Sequence, residues 1–349
     1  MPPTPSRPAP LPLVRQLVRS AITTALLAIG LGSCAPGANL SSSTGSEAAS
    51  PVAEPELQVV TTFLPITQFT KAVAGDRAEV TQLLPTNIGP HDYQATPDDA
   101  QKLARADVLV ENGLEMEAFL DGLIDSAGNA DLKVIDASQG IATIRTEDVE
   151  GDTHDYDHAH AGEQQAGAEK AEGHDHGEFN PHVWLDPKRA IQQVENIRDG
   201  LIAADPAGQP VYTANAAAYL EQLKQLDAEF TRQLQPFRGQ TFVTYHDFAP
   251  YFADSYGLKA EFLVGIPEEN ASPQDVKRVI SAAQSSNLKT LLTEPQAFGN
   301  PFSALAEDLN VQVSDFDPME TGDPTSTEPD YYLTTMRQNL KNLTTAFRP

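Results

Sequence analysis

The chain has 349 residues, with 49 acidic side chains against 23 basic ones, one cysteine and a formal charge of −26. Such a surface repels nucleic acid and draws cations, though at physiological salt only within about 8 Å. One cysteine excludes an internal disulfide and every cysteine-based zinc site.

Arg7, Arg15 and Arg19 make a basic start, residues 21–32 (AITTALLAIGLG) an apolar run, and the first carboxylate is Glu47. That run is too short for a hydrocarbon core needing about 20 apolar residues and has the shape of a secretory signal. Leu31-Gly32-Ser33-Cys34 resembles a bacterial lipobox, which implies cleavage before Cys34, lipidation of that cysteine and a membrane anchor. An ordinary signal with an incidental cysteine is the alternative. Removing residues 1–33 takes away three arginines and no acid, leaving 20 basic residues against 49 acids. Residues 34–56, rich in Ser, Ala, Pro and Gly, read as a flexible tether.

From Leu57 the pattern alternates. Strands are predicted at 57–63, 78–84, 106–111 and 132–136, with helical stretches such as 97–105 and 114–126 between them. Thr96-Pro97-Asp98-Asp99 reads as a helix start, with Thr96 as cap and Asp99 reaching back. Residues 150–178 carry nine acids and five histidines (His154, His158, His160, His174 and His176) and few large apolar side chains. Burial cannot offset the ordering entropy of such a segment, so a mobile loop is expected, with histidines able to collect metal only weakly. Asp186-Pro187 opens a helix to about 203.

Residues 211–235 contain no proline or glycine, and Tyr219, Leu223, Leu226, Phe230 and Leu234 recur at the helical period. A connecting strut is favoured over a helix buried in one domain. Strands then resume at 240–245, 258–264, 288–293 and 310–316. The expected fold is α/β: two lobes, each a parallel sheet of about four strands covered by helices, joined by one long helix. The boundaries are an N-terminal lobe at 57–210, a connecting helix at 211–238 and a C-terminal lobe at 239–349.

Three histidines lie outside the acidic segment: His91 in GPHDY, His182 in NPHVWLDP and His246 in TYHDFAPYF. Ligands in open α/β sheets bind beyond the carboxyl ends of strands. His91 and His246 fit that placement, and His182, before a helix, fits it less directly. Three separated imidazoles suit one tetrahedral zinc. A closed site needs a fourth ligand, and Ser314-Asp315-Phe316-Asp317-Pro318 offers two carboxylates. Asp317, at the turn, is preferred over Asp315. Glu294 is open to two readings: orienting an imidazole, or charging the first turn of the next helix.

These stretches, together with GPHDYQATPDDAQKLARADVLVENGLEMEAFL, VTYHDFAPYFADSYGL, LLTEPQ, DPM and YYLTTMRQNL, resemble the zinc-specific solute-binding proteins of bacterial ABC importers. The resemblance covers nearly all of residues 57–349 and belongs to a cluster that includes manganese and iron binders. It implies one Zn²⁺ in the cleft between two lobes, held by His91 and His182 from the first and His246 and Asp317 from the second. It also implies delivery of that zinc to an ABC-type permease, by a monomer at the extracytoplasmic face of the cell envelope. Manganese binders typically carry glutamate where His246 stands, and three imidazoles favour zinc. Pro90 stands where some zinc members have an acid, and the second-lobe disulfide of some members cannot form.

Two other functions compete. A secreted zinc hydrolase needs an open metal position and a general base, but HExxH and GxSxG are absent. A metal-dependent adhesin would use the same site structurally.

Overall fold

The computed structural model describes residues 57–146, 177–265, 271–286, 288–295 and 302–348. The expected leader, Cys34, the tether and the five histidines of the acidic segment lie outside the described residues.

The first sheet contains β1 (Leu57–Thr61), β2 (Ala78–Gln82), β3 (Val108–Glu111) and β4 (Lys133–Asp136), all parallel, in the order β2-β1-β3-β4. Around it lie α1 (Leu64–Ala74), α2 (Pro97–Leu103), α3 (Leu120–Ala127) and α4 (Pro187–Ala204). Parallel strands joined by crossover helices are covered on both faces, which is why Val108, Leu109 and Val110 form an unbroken buried run. The capping box of α2 is formed, with the Thr96 amide donating to the Asp99 carboxylate at 2.9 Å.

Helix α5 (Gln209–Leu234) follows and spans about 39 Å at 1.5 Å per residue. It begins two residues before the predicted stretch because Pro210 is tolerated in a first turn, where its missing N–H has no intrahelical partner. Tyr219, Leu223, Leu226, Phe230 and Leu234 are all buried along one stripe.

The second sheet repeats the first in topology. It contains β5 (Thr241–His246), β6 (Lys259–Val264), β7 (Thr290–Thr293) and β8 (Gln312–Asp315), parallel in the order β6-β5-β7-β8. Helices α6 (Pro250–Tyr256), α7 (Pro273–Ser286) and α8 (Ser303–Leu309) accompany it. The expected architecture of two four-stranded parallel sheets covered by helices is thus found.

The final helix, α9 (Pro329–Ala346), returns to the first lobe and packs on α1 as well as α5. Gln68 and Lys71 of α1 hold the segment before it, donating to the Ser326 carbonyl at 2.6 Å and the Thr327 hydroxyl at 2.9 Å. One apolar core consequently runs from Val59 and Phe69 through α5 to Phe242, Phe316 and Met336.

Helix α3 and strand β8 also depart from the predicted bounds. Helix α3 starts at Leu120 rather than near 114, because Gly113, Leu114 and Glu115 take left-handed φ values of 80°, 57° and 60°. The strand predicted at 310–316 shrinks to Gln312–Asp315, because Asn310 at φ 52° caps α8 in the left-handed region.

Candidate metal centre

In both sheets the chain order reverses between the two central strands, so a crevice opens at the carboxyl ends of β5 and β7. His246 is the last residue of β5, and Glu294 directly follows β7. The strand pairing sets the two side by side, and His246 Nδ1–H donates to Glu294 Oε1 at 2.5 Å. This carboxylate orients an imidazole, one of the two readings left open for Glu294. It fixes the proton on Nδ1 and leaves Nε2 for a metal.

His182 comes from the short helical turn before α4. Its Nδ1–H faces the Asn180 side-chain oxygen at 3.0 Å, so its Nε2 is the nitrogen turned toward the other members of the site. His91 sits in the turn Pro90–Asp92 after β2 and is the one partly exposed member, with its side chain at 13%. It marks the solvent side of the site, whereas His182 and His246 are fully buried.

The fourth member is Glu320, not Asp317. Its Oε1 lies 3.4 Å from His91 Nε2, 3.1 Å from His182 Nε2 and 3.4 Å from His246 Nε2. The Nε2 atoms of His91 and His182 are 3.3 Å apart, and all four donor atoms lie within 4.8 Å of one another. A tetrahedral zinc with bonds near 2.0–2.1 Å requires donor–donor separations of about 3.3 Å. Four of the six separations match that edge, so these residues fit the ion.

Asp317 acts one step back. Its Oδ1 accepts the Met319 amide at 2.8 Å, and Asn339 of α9 clamps its backbone, accepting from its N–H at 2.9 Å and donating to its carbonyl at 2.8 Å. The side chain is therefore committed to the turn. Met319 then takes a left-handed φ of 61°, which turns the chain so that Glu320 enters the cleft. Gly322 closes the turn, its amide donating to the Thr86 carbonyl at 2.6 Å, and a Cβ there would meet Ser326 Oγ at 2.4 Å. Trp184, two residues after His182, donates to the Pro318 carbonyl at 2.8 Å. Asp315 stays on β8, away from the cluster.

Charge follows from this packing. Burial raises the Glu320 carboxyl, but the neighbouring His246 and His91 outweigh burial and hold it well below its usual range. Burial lowers His246, yet the Glu294 and Glu320 carboxylates dominate and hold the metal-free imidazole well above 6.5. Burial takes His182 down to about 3, against the pull of Glu320. Asp317 is raised to about 6, by burial and then by the nearby Glu294 and Glu320 carboxylates, with the Met319 amide opposing. The metal-free cleft therefore favours a proton on His246 where the metal would bind.

Comparison with known proteins accords with this geometry. Residues 59–346 match the family of the periplasmic zinc-uptake complex component A, ZnuA. The chain belongs to that family. It is 33% identical over 293 residues to the zinc-binding lipoprotein AdcA of Streptococcus pneumoniae, covering 83% of this chain and 56% of AdcA. The chain thus spans a little over half the length of the streptococcal relatives it matches. The Zn(II)-bound ZnuA-like domain of that AdcA superposes with a TM-score of 0.67 at 29% identity, covering 83% of this chain and 98% of the domain. The laminin-binding protein Lmb of Streptococcus agalactiae, described as bifunctional with adhesin and metal-transporting activity, superposes at 0.69 and 27% identity, over 84% of this chain and all of Lmb. The family's description is that of a periplasmic component of a zinc-uptake complex.

Glu320 was within reach of sequence reading but carried no strong signal. It lies beyond the end of the strand, outside the two carboxylates at the strand terminus. Gly322 hinted at a tight turn there.

Proposed function

We propose that this protein captures Zn²⁺ outside the cytoplasm and delivers it to an ABC-type permease. Its ligands are His91, His182 and His246 Nε2 and the Glu320 carboxylate. The convergence of these four donors at tetrahedral spacing carries the reading. Two carboxylates bracket the histidines, Glu320 as a ligand and Glu294 behind His246, and a bound dication offsets their charge in the buried site. A fourth protein ligand closes the coordination sphere against the water that a hydrolase would need. Lipidated Cys34 and the tether hold the lobes near the membrane, and the histidines at 154–176 collect zinc weakly beside it.

Competition titration of untagged protein tests the capture step, with one equivalent of zinc expected to displace manganese. A strain lacking its own zinc uptake, supplied with the chain and its permease, tests delivery, with growth on limiting zinc restored. Preferential manganese binding would overturn the reading. The likeness to Lmb supports metal-dependent adhesion as a second reading, distinguished by laminin binding that needs loaded zinc.

A further inference from the structure

Glu320 follows the last strand of the second sheet, yet the first lobe holds its turn on both sides. Before it, the Pro318 carbonyl accepts Trp184 Nε1–H at 2.8 Å; after it, the Gly322 amide donates to the Thr86 carbonyl at 2.6 Å. Trp184 closely follows His182, and Thr86 lies in the turn that leads into His91. Each bond therefore ties the carboxylate to a segment bearing one first-lobe histidine. Glu320 Oε1 faces all three Nε2 atoms, while Oε2 lies on the side of Gly89, 4.0 Å from where a Cβ would sit there. The carboxylate thus offers one oxygen to the metal.

Trp184 is fully buried, and an indole has one donor and no acceptor. Its ring packs edge-on against Phe63 at 5.0 Å and against His182 at 5.1 Å between centroids, and its carbonyl accepts the Tyr332 hydroxyl at 2.7 Å. These contacts leave the ring little freedom, so its N–H is a fixed point for the Pro318 carbonyl. The least such a bond does is satisfy a buried donor. Its acceptor gives it more to do, because that carbonyl belongs to the turn that brings a carboxylate to the three histidines. Without it, Asp317 and Gly322 would hold the turn from its two ends.

We propose that Trp184 is a positioning residue that sets metal preference: its N–H on the Pro318 carbonyl keeps Glu320 a one-oxygen ligand and the site four-coordinate. The inference rests on the zinc-capture reading above. A carboxylate free to swing can offer both oxygens and admit water, which raises the coordination number. Manganese favours six oxygen-rich ligands, whereas zinc is satisfied by four. Loosening this turn therefore lowers selectivity for zinc as well as affinity.

Trp184 is the chain's only tryptophan, so an analogue supplied during expression alters this one side chain. Benzothienylalanine keeps the shape of the ring and puts sulfur where the N–H was. Full-length protein carrying it should bind zinc about 10–100-fold more weakly, the usual effect of losing an outer partner, and its preference for zinc over manganese should narrow by about tenfold or more. Cobalt(II) reports the geometry. Wild type should give the intense visible bands of a tetrahedral ion, and the analogue the weak bands of a higher coordination number. Trp184→Phe, which also lacks the donor, should show the same changes. Phe63→Leu loosens the packing of the ring but leaves the N–H, and should lower the melting temperature with the cobalt bands intact. Unchanged bands and selectivity in the analogue overturn the proposal, as does loss of the bands in Phe63→Leu, which would give the role to packing. Wild-type protein without tetrahedral cobalt bands would instead sink the four-ligand site itself, and this inference with it.

Discussion

Asp317 and Glu320 show how little sequence distance says about reach. Asp317 stands nearer the strand end, but its carboxylate accepts the Met319 amide, and only Glu320 meets the histidines. Glu320→Gln should weaken zinc binding by about 100-fold or more, beyond the 10–100-fold typical of outer-shell losses, with calorimetry as the measure. Asp317→Asn keeps an oxygen acceptor for Met319 and should stay within about tenfold of wild type. The reverse ranking would restore Asp317 as the ligand. His246→Glu should weaken zinc and shift relative preference toward manganese, since a hard oxygen replaces an imidazole. Competition between the two ions reads this directly, and unchanged zinc affinity would remove His246 from the ligand set.

At the scale of elements, the site depends on short turns that strands and helices hold in place. The left-handed turn at 113–115 is pinned by Glu117, which accepts from the Thr62 hydroxyl at 2.6 Å and from the Asn112 and Gly113 amides at 2.8 and 3.2 Å. Glu117→Ala would leave those buried donors without their acceptor. It should cost about 3 kcal/mol in urea unfolding while leaving the zinc stoichiometry at one. Asn112 in turn donates to the Pro181 carbonyl at 3.1 Å, so this turn also abuts the segment bearing His182. A destabilisation below about 1 kcal/mol would mean that other bonds hold the turn.

For the whole molecule, zinc affinity and metal-free stability should move oppositely with pH. Zinc must displace the proton that Glu294 and Glu320 hold on His246, so affinity should rise by about tenfold per pH unit while that proton is bound. Calorimetry in buffers of different ionisation enthalpy should show about one proton released at pH 7, and none would refute the assignment. In the metal-free fold, His246 is raised, burial lifts Glu117 to about 8 against its hydrogen-bond donors, and burial with the nearby Asp136 and Asp121 lifts Glu111 to about 7. A group raised on folding stabilises fully below its unfolded value, and that contribution is lost as pH rises through the folded one. Metal-free stability should therefore fall from about pH 5 to 8, and the gain in melting temperature from zinc should widen. Deleting residues 152–177 should remove weak zinc equivalents and leave the tight site, whose four members lie outside that segment.

Features set by local rules were legible from the residues alone. Alternating runs implied two parallel sheets, the apolar stripe from Tyr219 to Leu234 implied the long helix, and Thr96 to Asp99 implied a capped start. Three histidines at element ends pointed to a metal because chain reversals in parallel sheets gather strand ends at one crevice. The fourth member and the supporting shell depend on long-range packing. Glu320 arrives through a left-handed Met319 and a turn locked by Asn339 and Trp184, contacts that join residues far apart in the chain. Glu294 meets His246 only because β5 and β7 are neighbours in space, and Asn180 meets Asp247 only because the lobes dock. Periodicity encodes which face of an element is buried, but not which distant backbone that face will meet.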